Sequence, residues 1–127
     1  MKTTKITYWT TTAIVSLMMV FSAWQYIANP KMAEIFKHLG FPDYFRIELA
    51  LAKLMGATLL LAPVAARVKE WTYAGFVIVF ISAFVVHTAS GDPVSNRIAP
   101  IIFLALLAAS YIAYHKLPAK SLNIATV

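Results

Sequence analysis

Four apolar runs govern what this chain can fold into. Ile6–Ala28 carries no charge, and Tyr44–Ala62 carries Arg46 and Glu48 at its start with Lys53 inside. Trp71–Ser90 holds His87 but no formal charge, and Ile98–His115 is charge-free until its last residue. A helix needs about 20 residues at ~1.5 Å each to cross a ~30 Å hydrocarbon layer, and all four runs approach that length. Strands of a membrane barrel would instead alternate polar and apolar residues over ~10 positions. Composition agrees: 61% of the 127 residues are hydrophobic and only 13% are charged, about half the ~25% of an ordinary soluble domain. So short a chain buries only ~60–70% of its surface, so the bilayer is the solvent. The expectation is an all-α, four-transmembrane-helix bundle forming one integral membrane domain over residues 1–127. Its spans fall at about 6–28, 44–62, 71–90 and 98–115.

Prolines and glycines punctuate these runs. Asn29-Pro30 ends the first, Pro63 closes the second, Gly91-Asp92-Pro93 stops the third and Pro118 follows the fourth. Between the first two lies a short segment, about 30–39, whose Met32, Ile35, Phe36 and Leu39 recur at helical spacing. Lys31, Glu34, Lys37 and His38 occupy its other face, the pattern of an amphipathic helix in the interface plane. The short connections 63–70 and 91–97 make consecutive spans antiparallel neighbours, giving up-down-up-down topology. Small-residue pairs such as Ala52-xxx-Gly56, Ala105-xxx-Ala109 and Ala109-xxx-Ala113 allow close helix approach, within the chain or in a dimer. Lys2 and Lys5 ahead of an apolar stretch also fit a signal peptide. That run, however, is long, ends in Trp24-Gln25-Tyr26 and lacks a small-x-small cleavage site, so a retained helix is expected.

The net charge of +6 comes from basic residues at the ends of the runs, where the positive-inside rule accounts for them. Six of them, Lys2, Lys5, Arg67, Lys69, Lys116 and Lys120, collect on one side if the N-terminus is cytoplasmic. Both termini are therefore expected inside. No basic patch interleaved with exposed aromatics argues for nucleic acid as a partner. The absence of cysteine removes disulfides, thiolate metal sites and cysteine nucleophiles. His38, His87 and His115 fall at different levels of the bundle, so no metal is expected. No phosphate loop, nucleophile elbow or metalloprotease pair is present, and no autonomous catalytic motif or resident cofactor is expected.

Charge inside a span is costly and marks a site by default. Lys53 lies ~10 Å below the outer end of the second span, and Arg46 shares its face. Glu48 sits about 140° around the helix from Lys53 at ~100° per residue, so the two are not ideal partners. Gln25, Arg46, Glu48, Lys53, His87 and Asp92 all fall in the outer half of the bundle. Two readings stay open. In one, Glu48 neutralises Lys53 or Arg46, His87 bonds a neighbouring helix and Lys53 snorkels to the interface. In the other, these residues form a polar pocket for an anionic or quinone-like headgroup, with Lys53 and His87 as donors and Glu48 as proton carrier.

Several strings carry a family likeness. They are His38-Leu39-Gly40-Phe41-Pro42-x-Tyr44-Phe45-Arg46, Ala52-Lys53-Leu54-Met55-Gly56-Ala57, Lys69-Glu70-Trp71-x-Tyr73-Ala74-Gly75-Phe76, and His87 followed by Ser90-Gly91-Asp92-Pro93. With them, most of residues 7–115 resembles the bacterial DoxX-like family. The resemblance implies a small multi-pass inner-membrane protein and makes Lys53, Glu70, His87 and Asp92 family positions without assigning them roles. The family name comes from a subunit of a thiosulfate:quinone oxidoreductase, while wider relatives include a receptor-assembly chaperone, so activity does not follow from the fold. The first functional expectation is a membrane subunit or accessory of a quinone-linked redox system, working with a membrane-protein partner or as a homodimer. The alternatives are a non-enzymatic assembly factor and a small lipid- or metabolite-binding or transporting bundle.

Overall fold

A computed structural model describes residues 2–118. It contains five helices and, among the described residues, no strand: α1 (Lys2–Ala28), α2 (Lys31–His38), α3 (Asp43–Leu61), α4 (Ala66–Ala89) and α5 (Val94–Lys116). The fold class is all-α, as the apolar runs require. Three helices, α1, α4 and α5, are long and apolar enough to cross a membrane. The second run differs. At 19 residues α3 is about 28 Å long, but it carries Arg46, Glu48 and Lys53, so its hydropathy alone does not make it a span.

The four long helices start earlier than the apolar runs, α3 by a single residue. α4 opens at Ala66 rather than 71 and α5 at Val94 rather than 98. Arg67, Lys69 and Glu70, like Asn96 and Arg97, are polar but good enough helix formers to join the first turns. The helix therefore begins where the preceding proline turn ends, not where charge ends. α2 follows Pro30, buries Phe36 and keeps Lys31, Glu34, Lys37 and His38 on its outer side, as its pattern requires.

The four long helices form a closed ring in the order α1, α3, α4, α5, with α5 returning to α1. α1 and α4 lie across one diagonal, α3 and α5 across the other, and α2 rests on α1 and α3. Val15 and Met19 of α1, Ala57 and Leu60 of α3, Phe76 and Phe80 of α4 and Leu107 of α5 fill the centre. The α3–α4 seam is the least extensive in the ring. It is held close where Gly56 lies under Phe76: a Cβ on Gly56 would sit 2.5 Å from Phe76 Cζ.

Every long helix turns large apolar side chains outward, among them Leu17 (65% exposed), Leu51 (57%), Ile78 (65%) and Ile102 (54%). Such continuous exposure is untenable in water for a protein this small and is what a lipid-contacting bundle presents. The protein is an integral membrane protein.

Candidate functional site

Prolines explain the settings of two cations, one buried and one half-buried. In a helix each carbonyl accepts from the N–H four residues on, and proline has none. Pro30 therefore leaves the Tyr26 carbonyl without a helical donor, and Pro63 does the same to Leu59. In both places a basic side chain from a following helix fills the gap. Arg46 Nη1 donates to the Tyr26 carbonyl, while its Nε reaches Asp43 at 3.2 Å. Lys69 Nζ donates to the Leu59 carbonyl at 3.0 Å and to that of Leu60. Lys69 is only 1% exposed. This corrects the expectation that it marks the inner membrane surface. A cation at the negative end of the α3 dipole is also favourable there.

At the end of the bundle nearest α2, three ionisable groups form a latch. His87 Nδ1 donates to Asp92 Oδ2 at 2.6 Å, and His38 Nε2 donates to Asp92 Oδ1 at 2.9 Å. The backbone sets this up. Gly91, at φ 73°, lets the Asp92 N–H turn back to the His87 carbonyl, and Gly40, at φ 88°, ends α2 the same way beside His38. Arg97 Nε secures the Asp92 carbonyl at 2.9 Å. α2 is thereby tied across the bundle to the α4–α5 turn. At the opposite end Glu70 plays the matching part, accepting from Tyr111 OH at 2.9 Å and His115 Nε2 at 2.5 Å. Among the described residues no group of His, Asp and Glu is arranged to hold a metal ion.

The hydrogen bond from His87, then that from His38, holds the Asp92 carboxyl below its ordinary value. A depressed folded-state value means the stabilisation is complete above the ordinary aspartate pKa of ~3.9 and is lost as pH falls through the lower folded value. Asp92→Asn should therefore speed amide exchange in α2 wherever the Asp92 carboxylate is ionised, at pH 7 and at pH 5. The difference from the parent should vanish only at pH values below that ordinary aspartate pKa. Exchange mass spectrometry at about pH 3, 5 and 7 reads this, and a difference that disappears by pH 6 would contradict it.

Lys53 has a different setting. α3 begins at Asp43, so Lys53 lies about 15 Å along it, near the middle of the helix. The residue is 7% exposed, and its side chain reaches toward the last turns of α1. Nζ donates to Ser22 Oγ and Tyr26 OH, both at 2.8 Å, and stands 4.0 Å from the Tyr26 ring centre. Glu48 does not neutralise it, nor Arg46: Glu48 is exposed and makes no salt bridge among the described residues. Gln25 turns to Asn29, whose Nδ2 donates to Oε1 at 3.1 Å. The six expected pocket residues thus divide. Arg46 and Lys53 meet through Tyr26, His87 and Asp92 meet in the latch, and Gln25 and Glu48 join neither.

Lys53 also lines an apolar groove of about 300 Å³ between α3 and α4, with Leu49, Gly56, Leu59, Trp71 and Gly75. From Leu49 to Leu59 the groove runs ~15 Å along α3. A Cβ on Gly75 would meet nothing within 4 Å, so the α4 wall is open there.

With this arrangement in view, comparison with known proteins gives one match: the profile of the DoxX-like family covers residues 10–110. The chain belongs to the DoxX-like family. No curated protein and no solved structure matches it. All six expected site residues of this DoxX-like protein, and Lys69 and Glu70, lie within the matched stretch. Of the four positions singled out by resemblance, Glu70, His87 and Asp92 tie helices together, and Lys53 faces the α3–α4 groove. One buried set was not visible in the sequence. Thr12 and Ser110 share a 2.6 Å hydrogen bond, and Ser110 shares another, 2.7 Å long, with Tyr73. This knot joins α1, α4 and α5 in the half of the bundle away from α2, and its hydroxyls are dispersed among apolar neighbours that hide any motif.

Proposed function

We propose that this DoxX-like protein is a four-span bundle of the bacterial inner membrane, with both termini cytoplasmic. In this reading it holds a small amphipathic molecule in the α3–α4 groove, as a membrane subunit or accessory of a redox system. The observation that carries this is Lys53. Among the described residues, Arg46 and Lys69 are buried against carbonyls and the outer carboxylate is shared by two histidines, but Lys53 bonds only hydroxyls. A desolvated cation without an anionic partner is expensive. A head rich in acceptor oxygens, anionic or quinone-like, reduces that cost, and the apolar groove below accommodates a ring or tail. No side chain here is redox-active by itself, so electrons would come from a partner.

Two observations support the fourth span. α3 turns Leu51 and Met55, 57% and 63% exposed, to the outside, and it tucks Arg46 and Lys53 inward. The run of basic residues at the ends of α1, α4 and α5 supports the orientation.

The test is extraction of protein purified in mild detergent, with the extract read by mass spectrometry and ultraviolet absorption. The parent should carry a near-stoichiometric amphiphile. Gly75→Leu, which fills the groove where space is open, should lower its occupancy at least tenfold while keeping helical content. An empty parent, or equal loading of both proteins, would refute the reading.

A further inference from the structure

α2 closes the end of the bundle where Lys53 has its partners. The Tyr26 ring touches both: Lys53 Nζ stands 4.0 Å from its centre, and the Phe36 ring meets it edge to face at 4.9 Å. Phe36 is 4% exposed and is the buried residue of α2. Its ring also meets those of Phe41 and Phe45, at 6.1 and 6.4 Å. One side chain thus fills the space between the end of α1 and the start of α3. Little else holds α2 down. Its eight residues bury that ring alone, and a segment with so little buried apolar surface opens at low cost. The exception is its last residue. His38 is bonded to Asp92 of the α4–α5 turn, which His87 and Arg97 hold in place. A plain connector between α1 and α3 needs no such tie across the bundle. The tie is also breakable, because His38 is 57% exposed and water competes for its ring.

We infer that α2 is a lid on the Lys53 site, held shut by the His38–Asp92 bond, and that it governs whether water reaches the ammonium. As a gate it rests on the groove's being a binding site, and it gives that site two entrances. The groove admits a tail sideways between α3 and α4, where Gly75 leaves the wall open. A polar head, or the polar reactant of a partner, meets water only past Phe36. With the lid down Nζ is shielded from water, so an acceptor oxygen beside it is held in a low dielectric, where the attraction is strong. With the lid up, water solvates Nζ and the Tyr26 hydroxyl, and the head loses that advantage. The latch therefore sets how long a molecule stays, not whether the groove fits it. Hinges flank the lid: Asn29-Pro30 lies between α1 and α2, and Gly40, at φ 88°, follows α2. A fixed cap that never lifts and a general loosening of the bundle are the rival accounts.

The absence of cysteine makes the test direct. Ser22→Cys places a single thiol where Lys53 Nζ bonds, and Ser110→Cys places one in the buried knot of the other half. Each protein, in mild detergent, is treated with a sulfonate-bearing methanethiosulfonate, whose charge keeps it in water. The Ser22→Cys thiol should react slowly. Adding His38→Ala, which opens the latch and leaves Phe36 in place, should speed it at least tenfold. Phe36→Ala, which removes the plug and leaves the latch, should do at least as much, whereas Lys37→Ala on the exposed side of α2 should change nothing. The Ser110→Cys thiol should stay unreactive with either change, which separates a lifted lid from a loosened bundle. A fast reaction at Ser22→Cys with the latch intact, indifference to His38→Ala, or equal acceleration at Ser110→Cys would overturn the inference. None of these rates needs a bound molecule. An empty groove with a latch-controlled rate therefore defeats the binding proposal alone, and a loaded groove with a rate indifferent to the latch defeats the lid alone.

Discussion

Lys69→Met is expected to lower the unfolding free energy by about 2–5 kcal/mol, because it strands two buried carbonyls at once. Each was held by an ammonium, and hydrogen bonds to charged groups are worth roughly 1.5–3 kcal/mol. Lipid offers no substitute donor. Against a typical total of ~5–15 kcal/mol, such a loss should be plain in thermal unfolding in mild detergent and in membrane yield. The cause can be isolated with Pro63→Ala. That change returns the N–H that Leu59 lacks and lets α3 continue by a turn, so the double variant should lose less than the two single variants summed. Lys116→Met, at an exposed position near the end of α5, should change little. If Lys69→Met unfolds like the parent, the proline-orphaned carbonyl is not what buries Lys69.

The same residue shows where sequence reading stopped. Run length and proline spacing were enough to place every helix, because helix ends in this chain follow Pro30, Pro63 and Pro93. The amphipathic spacing of Met32, Phe36 and Leu39 likewise placed α2 on the bundle. Lys53 was legible because charge deep in an apolar run has no surface explanation. The carbonyl-binding part of Lys69 and Arg46 was not, since a cation beside a helix end is indistinguishable, by charge counting, from a membrane-surface anchor. A local signal did exist, a proline four residues after a helical carbonyl, with a basic residue near the start of a later helix. Glu48 was half legible: its 140° offset from Lys53, at ~100° per residue, argued against pairing, and that angle turns it outward. The Thr12–Ser110–Tyr73 knot had no signal, because its members come from three helices and only folding brings them together.

Lys53→Met should behave in the opposite way to Lys69→Met, although both remove a buried ammonium. The hydroxyls that Lys53 engages have other partners within reach. Ser22 falls back on the carbonyl one turn earlier in α1, as serines in membrane helices commonly do. Tyr26, less than one turn from the end of α1, extends its hydroxyl toward the polar interface. Exchanging a poorly compensated buried charge for an apolar side chain of similar volume is often neutral or stabilising, by up to ~1–4 kcal/mol. The variant should therefore melt no lower than the parent, while its content of bound amphiphile falls at least tenfold. Stability that holds while a ligand disappears is the mark of a residue kept for binding. Lys53→Met melting as low as Lys69→Met, with no change in extracted amphiphile, would make Lys53 a structural tie between α1 and α3. Measured side by side, the two lysines separate what holds this bundle together from what it is built to hold.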